Sequence, residues 1–215
     1  MRDIVEQIFH KHENSVREVI IEYLNLLFKH HETDNIISSE DTDYFIKREI
    51  YDSYRLNNLL LGNEFSDIGT GGGIPGVLIA ILNPGKKIYL VDRKQSYTDF
   101  LLFIISKLKL KNVTVIKTDI LKMPQSICTS NVILKNFSNK FISKMDYSSK
   151  FIYIMQTLFT NKTVKKVYML TGSPVLQLDR SILDGFQIKT KEILSPYFNT
   201  KRVVAEVKLE GIINS

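Results

Sequence analysis

Apolar residues recur at spacings of three and four near the start of the chain: Ile4, Ile8, Val16, Val19, Ile20, Tyr23, Leu24, Leu27 and Phe28. The spacing predicts an amphipathic helix over about 3–30, interrupted near Asn14 and Ser15. The polar run HETDNIISSEDTD reads as a loop. Ser39 or Thr42 is placed to cap a second helix that runs to about Leu61 and ends at Gly62 and Asn63.

Beyond that point the period changes. FSDIG, KKIYLVD, VTVIKTD, NVILKN and KKVYML are short β-rich runs. IPGVLIAIL and KQSYTDFLLFIISKLKL lie between the first three and are helical by period, and a further helix is expected around Met145–Phe159. Strands alternating with helices argue for a parallel sheet covered on both faces. FQIKTKEIL and RVVAEVKL follow with no helix between them and read as an antiparallel pair closing the sheet edge. The expectation is one α/β domain, with residues 1–62 as a helical N-terminal cap and 63–215 as the body. The Tyr and Phe residues of the long helix after Asp92 fall at core spacing.

The 215 residues are 44 % apolar and 24 % charged, which excludes a disordered chain, a collagen-like repeat and a disulfide scaffold. The longest apolar stretches, around Ile74–Leu82 and Phe100–Ile105, fall well short of the roughly 20 residues that span a bilayer, so no membrane is expected. The opening MRDIVEQIFHKHE has no apolar core and no small-residue cleavage site, and the single Cys128 has no internal partner. These features favour the cytoplasm, with a monomer as the default expectation. His10, His12, His30 and His31 lie close together in sequence, but neighbours one or two apart do not share a helix face, so no metal site is expected.

The net charge of +6 is uneven. Residues 1–64 hold 7 Lys/Arg against 13 Asp/Glu, and the remainder hold 22 against 10. A basic body is either a nucleic-acid footprint or a Lys-rich surface set by biased composition.

The densest motif is Asp67-Ile68-Gly69-Thr70-Gly71-Gly72-Gly73-Ile74-Pro75-Gly76, after the first strand and opening a helix. Glycines there permit positive φ and let a ligand lie against the main chain. The second strand ends at Asp92, 19 residues after Gly73, where a carboxylate can accept both hydroxyls of a ribose. Gly71, Gly73 and Gly76 satisfy G-x-G-x-x-G, the dinucleotide fingerprint of a nicotinamide enzyme. Gly69, Gly71 and Gly73 satisfy G-x-G-x-G, the loop of S-adenosylmethionine (SAM) enzymes, and Asp67 just before the loop favours SAM. No Gly-Lys-Ser/Thr follows, so this is not a Walker loop. The third strand ends at Asp119, which either meets an adenine amine or caps a turn, with Ile120 and Leu121 as an apolar wall.

DIGTGGGIPGVLIAILNP, followed by LVDRKQSYTDFLLFIISKLKLKNVTVIKTDI, resembles the RsmG/GidB family of bacterial 16S ribosomal RNA guanine-N7 methyltransferases. The resemblance implies a Rossmann-like class I SAM-dependent methyltransferase fold, SAM as cofactor, and 16S ribosomal RNA or the small ribosomal subunit as partner. It implies cofactor contacts at Asp67, Gly69, Gly71, Gly73, Ile74, Asp92, Asp119, Ile120 and Leu121. Tyr51-Asp52-Ser53 resembles the Asp-Ser pair that the family carries before its loop; Asp52 and Ser53 either touch cofactor or RNA or pin the cap to the sheet. Four positions depart from the pattern. The family's Ser-Arg falls on Leu134-Lys135, the Lys of its Leu-Lys-Gly turn on Thr171, and its His before the Asp-Ser pair on Glu49. Lys135 keeps the charge but loses the planar fork of Arg. It is the candidate catalytic residue, holding base or phosphate, with a plain strand-end lysine as the alternative. The rival reading is a diverged SAM-binding relative that acts on another RNA or binds the ribosome without catalysis.

Overall fold

The computed structural model describes residues 1–34, 36–37, 41–137, 140–178 and 185–210. Its helices are α1 (Arg2–Ile8), α2 (Asn14–Asp34), α3 (Thr42–Phe45), α4 (Tyr51–Asn57), α5 (Gly76–Leu82), α6 (Gln95–Leu108) and α7 (Tyr147–Phe159). Its strands are β1 (Glu64–Ile68), β2 (Lys87–Asp92), β3 (Val113–Lys117), β4 (Asn131–Lys135), β5 (Lys166–Gly172), β6 (Phe186–Ile193) and β7 (Arg202–Leu209). Among the described residues, no helix is long and apolar enough to cross a membrane.

The strands form one sheet in the order β3-β2-β1-β4-β5-β7-β6. β1 to β5 run parallel; β7 pairs antiparallel with both β5 and β6. The closing pair is therefore antiparallel as expected, and β7 alone runs against the sheet because it is threaded between β5 and β6. Both faces are covered. Phe65, Ile88, Leu90 and Ile133 face a core shared with α2, α5 and α6. Ile68, Val91, Val132 and Leu134 face the core under α7. This two-sided burial explains why β2, β4 and β5 are nearly continuous apolar runs, while the edge strands β3 and β6 carry exposed positions.

The first helical pattern is broken where expected, between α1 and α2. The second starts under a different cap. Asp41 accepts from the Tyr44 N–H at 2.9 Å and caps α3, while Ser39 lies outside the described residues. The helix continues through a wide π-type turn at Ile46–Ile50 into α4 and ends at Asn57 rather than Leu61. Gly62, at φ +121°, reverses the chain just before β1. α6 also departs from the core reading of its aromatics. Phe100 is buried, Phe103 is 43 % exposed, and Tyr97 is only half-buried.

Strand order reverses between β1 and β4, the place where open α/β sheets bind ligands. Ile68 pairs with Leu134, so Gly69 and Lys135 leave adjacent strand ends side by side.

Candidate functional site

The glycine loop is held from below by Asp67. Its buried carboxylate accepts from the Thr70 hydroxyl at 2.7 Å and from the Gly76 N–H at 2.9 Å. Burial pushes the Asp67 carboxyl up to about 6, against the pull of those two bonds. Asp67 does not line the cleft; it positions the loop that does. Tyr23 of α2 donates to the Gly72 carbonyl at 2.7 Å, so the N-terminal cap braces the loop from the other side. A buried tyrosine on an apolar helix face needs a partner for its hydroxyl, which is the one sequence signal for this contact.

Above the loop lies a cavity of about 220 Å³, lined by Ile68, Gly69, Gly71, Val91, Asp92 and Arg93, then Lys94, Tyr97, Thr118, Asp119, Ile120, Asn136 and Phe137. Gly69 (φ +69°) has no room for a side chain, since a Cβ would stand 2.6 Å from Phe137. At Gly71 a Cβ would meet nothing within 4 Å, so open space lies against the main chain there. Asp92 accepts from the Gly71 N–H and the Lys94 N–H, each at 3.0 Å, through different oxygens. Each oxygen retains a second lone pair for a hydroxyl. Asp119 caps its own turn, accepting from the Leu121 N–H at 3.2 Å, and still lines the cleft. Ile120 is a cleft wall. Leu121 is not; it packs into the core under α7. Gly73 is also away from the cleft, where a Cβ would stand 2.5 Å from Val77. The apolar walls, the open backbone at Gly71 and the Asp92 carboxylate beside the loop fit an adenosyl group.

A second cavity of about 510 Å³ adjoins the first, sharing Gly69, Gly71, Tyr97 and Asn136. His31, Ile36, Ile37, Phe45, Glu49, Thr70, Gly72, Ile74 and Lys135 complete its lining. Here Ile74 is found. Here too Lys135 and Glu49, two of the four positions that depart from the family pattern, prove to be each other's ion-pair partners, with side chains only 7 % and 17 % exposed. Burial raises the Glu49 carboxyl, but Lys135, Arg202 and Arg48 outweigh it and hold it below its ordinary value. Behind the pair, fully buried Asp52 accepts from Arg202 Nε at 2.9 Å and lies 3.8 Å from Arg48 Nε. Asp52 thus ties the cap to β7. The Ser53 hydroxyl donates to the Glu49 carbonyl at 2.6 Å, within its own helix. Thr171, at the end of β5, shares a 3.1 Å hydrogen bond with the Tyr147 hydroxyl. Sequence reasoning missed Tyr97, Asn136, Phe137 and Arg202. Arg202 lies far from the loop in the chain, and only the β5–β7 pairing brings it near.

No cluster of His, Cys, Asp and Glu suited to a metal occurs among the described residues. Cys128 is exposed and unpaired by disulfide.

The family described as "GidB: rRNA small subunit methyltransferase G" matches residues 17–165. A "Ribosomal RNA small subunit methyltransferase G" from Colwellia psychrerythraea is 36 % identical over 100 residues, covering 46 % of this chain and 48 % of that protein. One of the same name from Fusobacterium nucleatum is 27 % identical over 208 residues, covering 94 % and 87 %. The match thus spans about half the length of the Colwellia relative and most of the Fusobacterium one. Among solved structures, a precorrin-6y C5,15-methyltransferase from Geobacter metallireducens aligns at a TM-score of 0.55 with 13 % identity, covering 81 % of this chain and 94 % of that one. A SAM-dependent methyltransferase from Aquifex aeolicus aligns at 0.50 with 15 % identity, covering 77 % and 93 %. At that identity the likeness shows the fold alone.

Proposed function

The chain belongs to the GidB family of rRNA small subunit methyltransferases, and from that membership we propose that it transfers a methyl group from SAM to N7 of a guanosine in 16S ribosomal RNA. The observation that carries the reading is the pair of adjoining cavities at the β1/β4 switch point. One is shaped for an adenosyl group, and the other is walled by Lys135 and Glu49.

Gly69 and Gly71 give the cofactor its backbone floor, and Asp92 takes the ribose hydroxyls. Asp119 and Ile120 border the adenine. Asp67 and Tyr23 hold the loop in shape. Held by Gly69, Gly71, Asp92, Asp119 and Ile120, SAM would supply an electrophilic sulfonium methyl, and guanine N7, which carries a free lone pair, would have no proton to lose in accepting it. The protein therefore needs no strong general base, and orientation is its main contribution. Lys135, beside Gly69 at the neighbouring strand end, holds the base in the second cavity.

The test is transfer of labelled methyl from SAM to small ribosomal subunits from a strain lacking this protein, with the modified base identified by mass spectrometry. Label on N7 of one guanosine supports the reading. A protein that binds SAM yet labels nothing, beside a working control enzyme, fits the second reading. That second reading, a diverged relative acting on another RNA or binding without catalysis, is favoured by one observation: the Lys135 ammonium is already neutralised by Glu49.

A further inference from the structure

We propose that Glu49 and Lys135 read the target base as a unit, with Glu49 as the residue that selects guanine. The inference rests on the proposed guanine-N7 transfer and adds to it the group that recognises the base.

Both side chains line the second cavity, next to the glycine-loop backbone and Asn136. Lys135 Nζ meets one carboxylate oxygen of Glu49, Oε2, and the pair is largely withdrawn from water. Taking two charges out of water costs several kcal/mol per ion, and a well-packed apolar pair often replaces such a bridge without loss. An ion pair set into a cavity wall is therefore poorly explained by stability. It is well explained by recognition, because it presents a cluster of donors beside a cluster of acceptors. The row behind it is fixed. Arg202 and Arg48 flank Asp52, and that arrangement anchors the π-type turn carrying Glu49 to the sheet.

Guanine offers the complementary order. O6 accepts, while N1–H and the 2-amino group donate. The Lys135 ammonium suits O6, and the Glu49 carboxylate suits N1–H and the 2-amino group together. Adenine reverses both, placing an amino group before the ammonium and a lone pair before the carboxylate. N7 adjoins O6 on the ring, so a base read in this way keeps N7 free to face the glycine loop beside Lys135. The carboxylate gains a second advantage during transfer. Positive charge arriving on the base makes N1–H a stronger donor, so the Glu49 bond tightens between ground state and transition state, where it accelerates the step.

The test uses the full chain and small subunits reconstituted with guanosine, inosine or adenosine at the methylated position. Inosine keeps O6, N7 and N1–H but lacks the 2-amino group. Wild type is expected to lose about 10–100-fold in kcat/KM on inosine, the range for one hydrogen bond to a charged group, and to leave adenosine unlabelled. Glu49→Gln should lower kcat on guanosine and compress the guanosine/inosine ratio to about fivefold, the residual left by a neutral hydrogen bond. Calorimetry with SAM should show cofactor affinity retained. Glu49→Asp should restore part of the ratio. If Glu49→Gln slows guanosine and inosine equally with the wild-type ratio intact, Glu49 is only structural and the inference is overturned. Equal use of guanosine and inosine by wild type also overturns it. Should Glu49→Gln prove unstable, Glu49→Asp, which keeps the charge of the pair but draws the carboxylate back, is read instead, and a guanosine/inosine ratio equal to that of wild type overturns the inference. No transfer to any subunit despite SAM binding would defeat the functional reading itself, and this one with it.

Discussion

On the wall formed by β1, β2 and β3, the cleft-facing groups come from three short segments: the glycine loop, the turn from Asp92 to Tyr97, and Thr118 to Ile120. They work largely through the main chain. The Gly71 and Gly76 N–H groups, the Thr70 hydroxyl and two carboxylates fix the loop through bonds that span 21 residues or fewer, with the Tyr23 brace on Gly72 added from 49 residues away. On the wall formed by β4, β5 and β7, the groups are charged side chains from distant stretches: Glu49, Lys135 and, behind them, Asp52 and Arg202, which lie 150 residues apart. A backbone site accepts one ligand shape and tolerates little change. A side-chain site can be rewritten by exchanging partners together.

That contrast can be broken experimentally. The largest effect should come from Gly69→Val, which forces a β-branched residue into φ +69° and a Cβ within 2.6 Å of Phe137. SAM binding by calorimetry should be lost; retained binding would deny the backbone wall its role. Next is Lys135→Ala. It leaves Glu49 largely buried and unpaired, for a destabilisation of about 3 kcal/mol in denaturant unfolding. Transfer should be abolished while SAM affinity is nearly unchanged, and a parallel loss of SAM affinity would merge the two walls into one.

Asp67 gives a smaller effect with a defined sign. Its carboxyl is raised to about 6 in the fold, from an ordinary 3.8. The folded state therefore binds more proton than the unfolded state between those values, and its stability falls as pH rises through that window. The contribution amounts to no more than about 3 kcal/mol. Asp67→Asn should flatten the stability profile between about pH 4 and pH 6, and an unchanged slope would sink the assignment. The smallest effect is expected from Thr171→Val. It removes one hydrogen bond to Tyr147 and should shift the unfolding free energy by about 1 kcal/mol, with SAM affinity untouched.

Much of the backbone site was legible because it is local. The glycines, Asp67 and Asp92 lie within 26 residues, and their spacing alone carries the strand–loop–helix–strand geometry. Even there, Leu121, read as a wall residue, packs into the core, because one residue of rotation along a turn moves a side chain from cleft to core, and Gly73, read as a cofactor contact, sits against Val77 away from the cleft. Helix ends were less legible: Asp41, not Thr42, caps α3, since several polar residues in a row are equally good candidates.

The sequence by itself determined the alternation of strand and helix, the glycine loop at the end of β1 and the carboxylate at the end of β2, because these follow from periodicity and from glycine's backbone freedom over short spans. Only the tertiary structure decided that Tyr23 braces the loop, that Asp52 locks the cap to Arg202 on a strand threaded into the sheet out of order, and that Lys135 is neutralised by Glu49. Those contacts are electrostatic and long-range in the chain. Residue type tells which charges must find partners when buried, but strand order and register choose the partner.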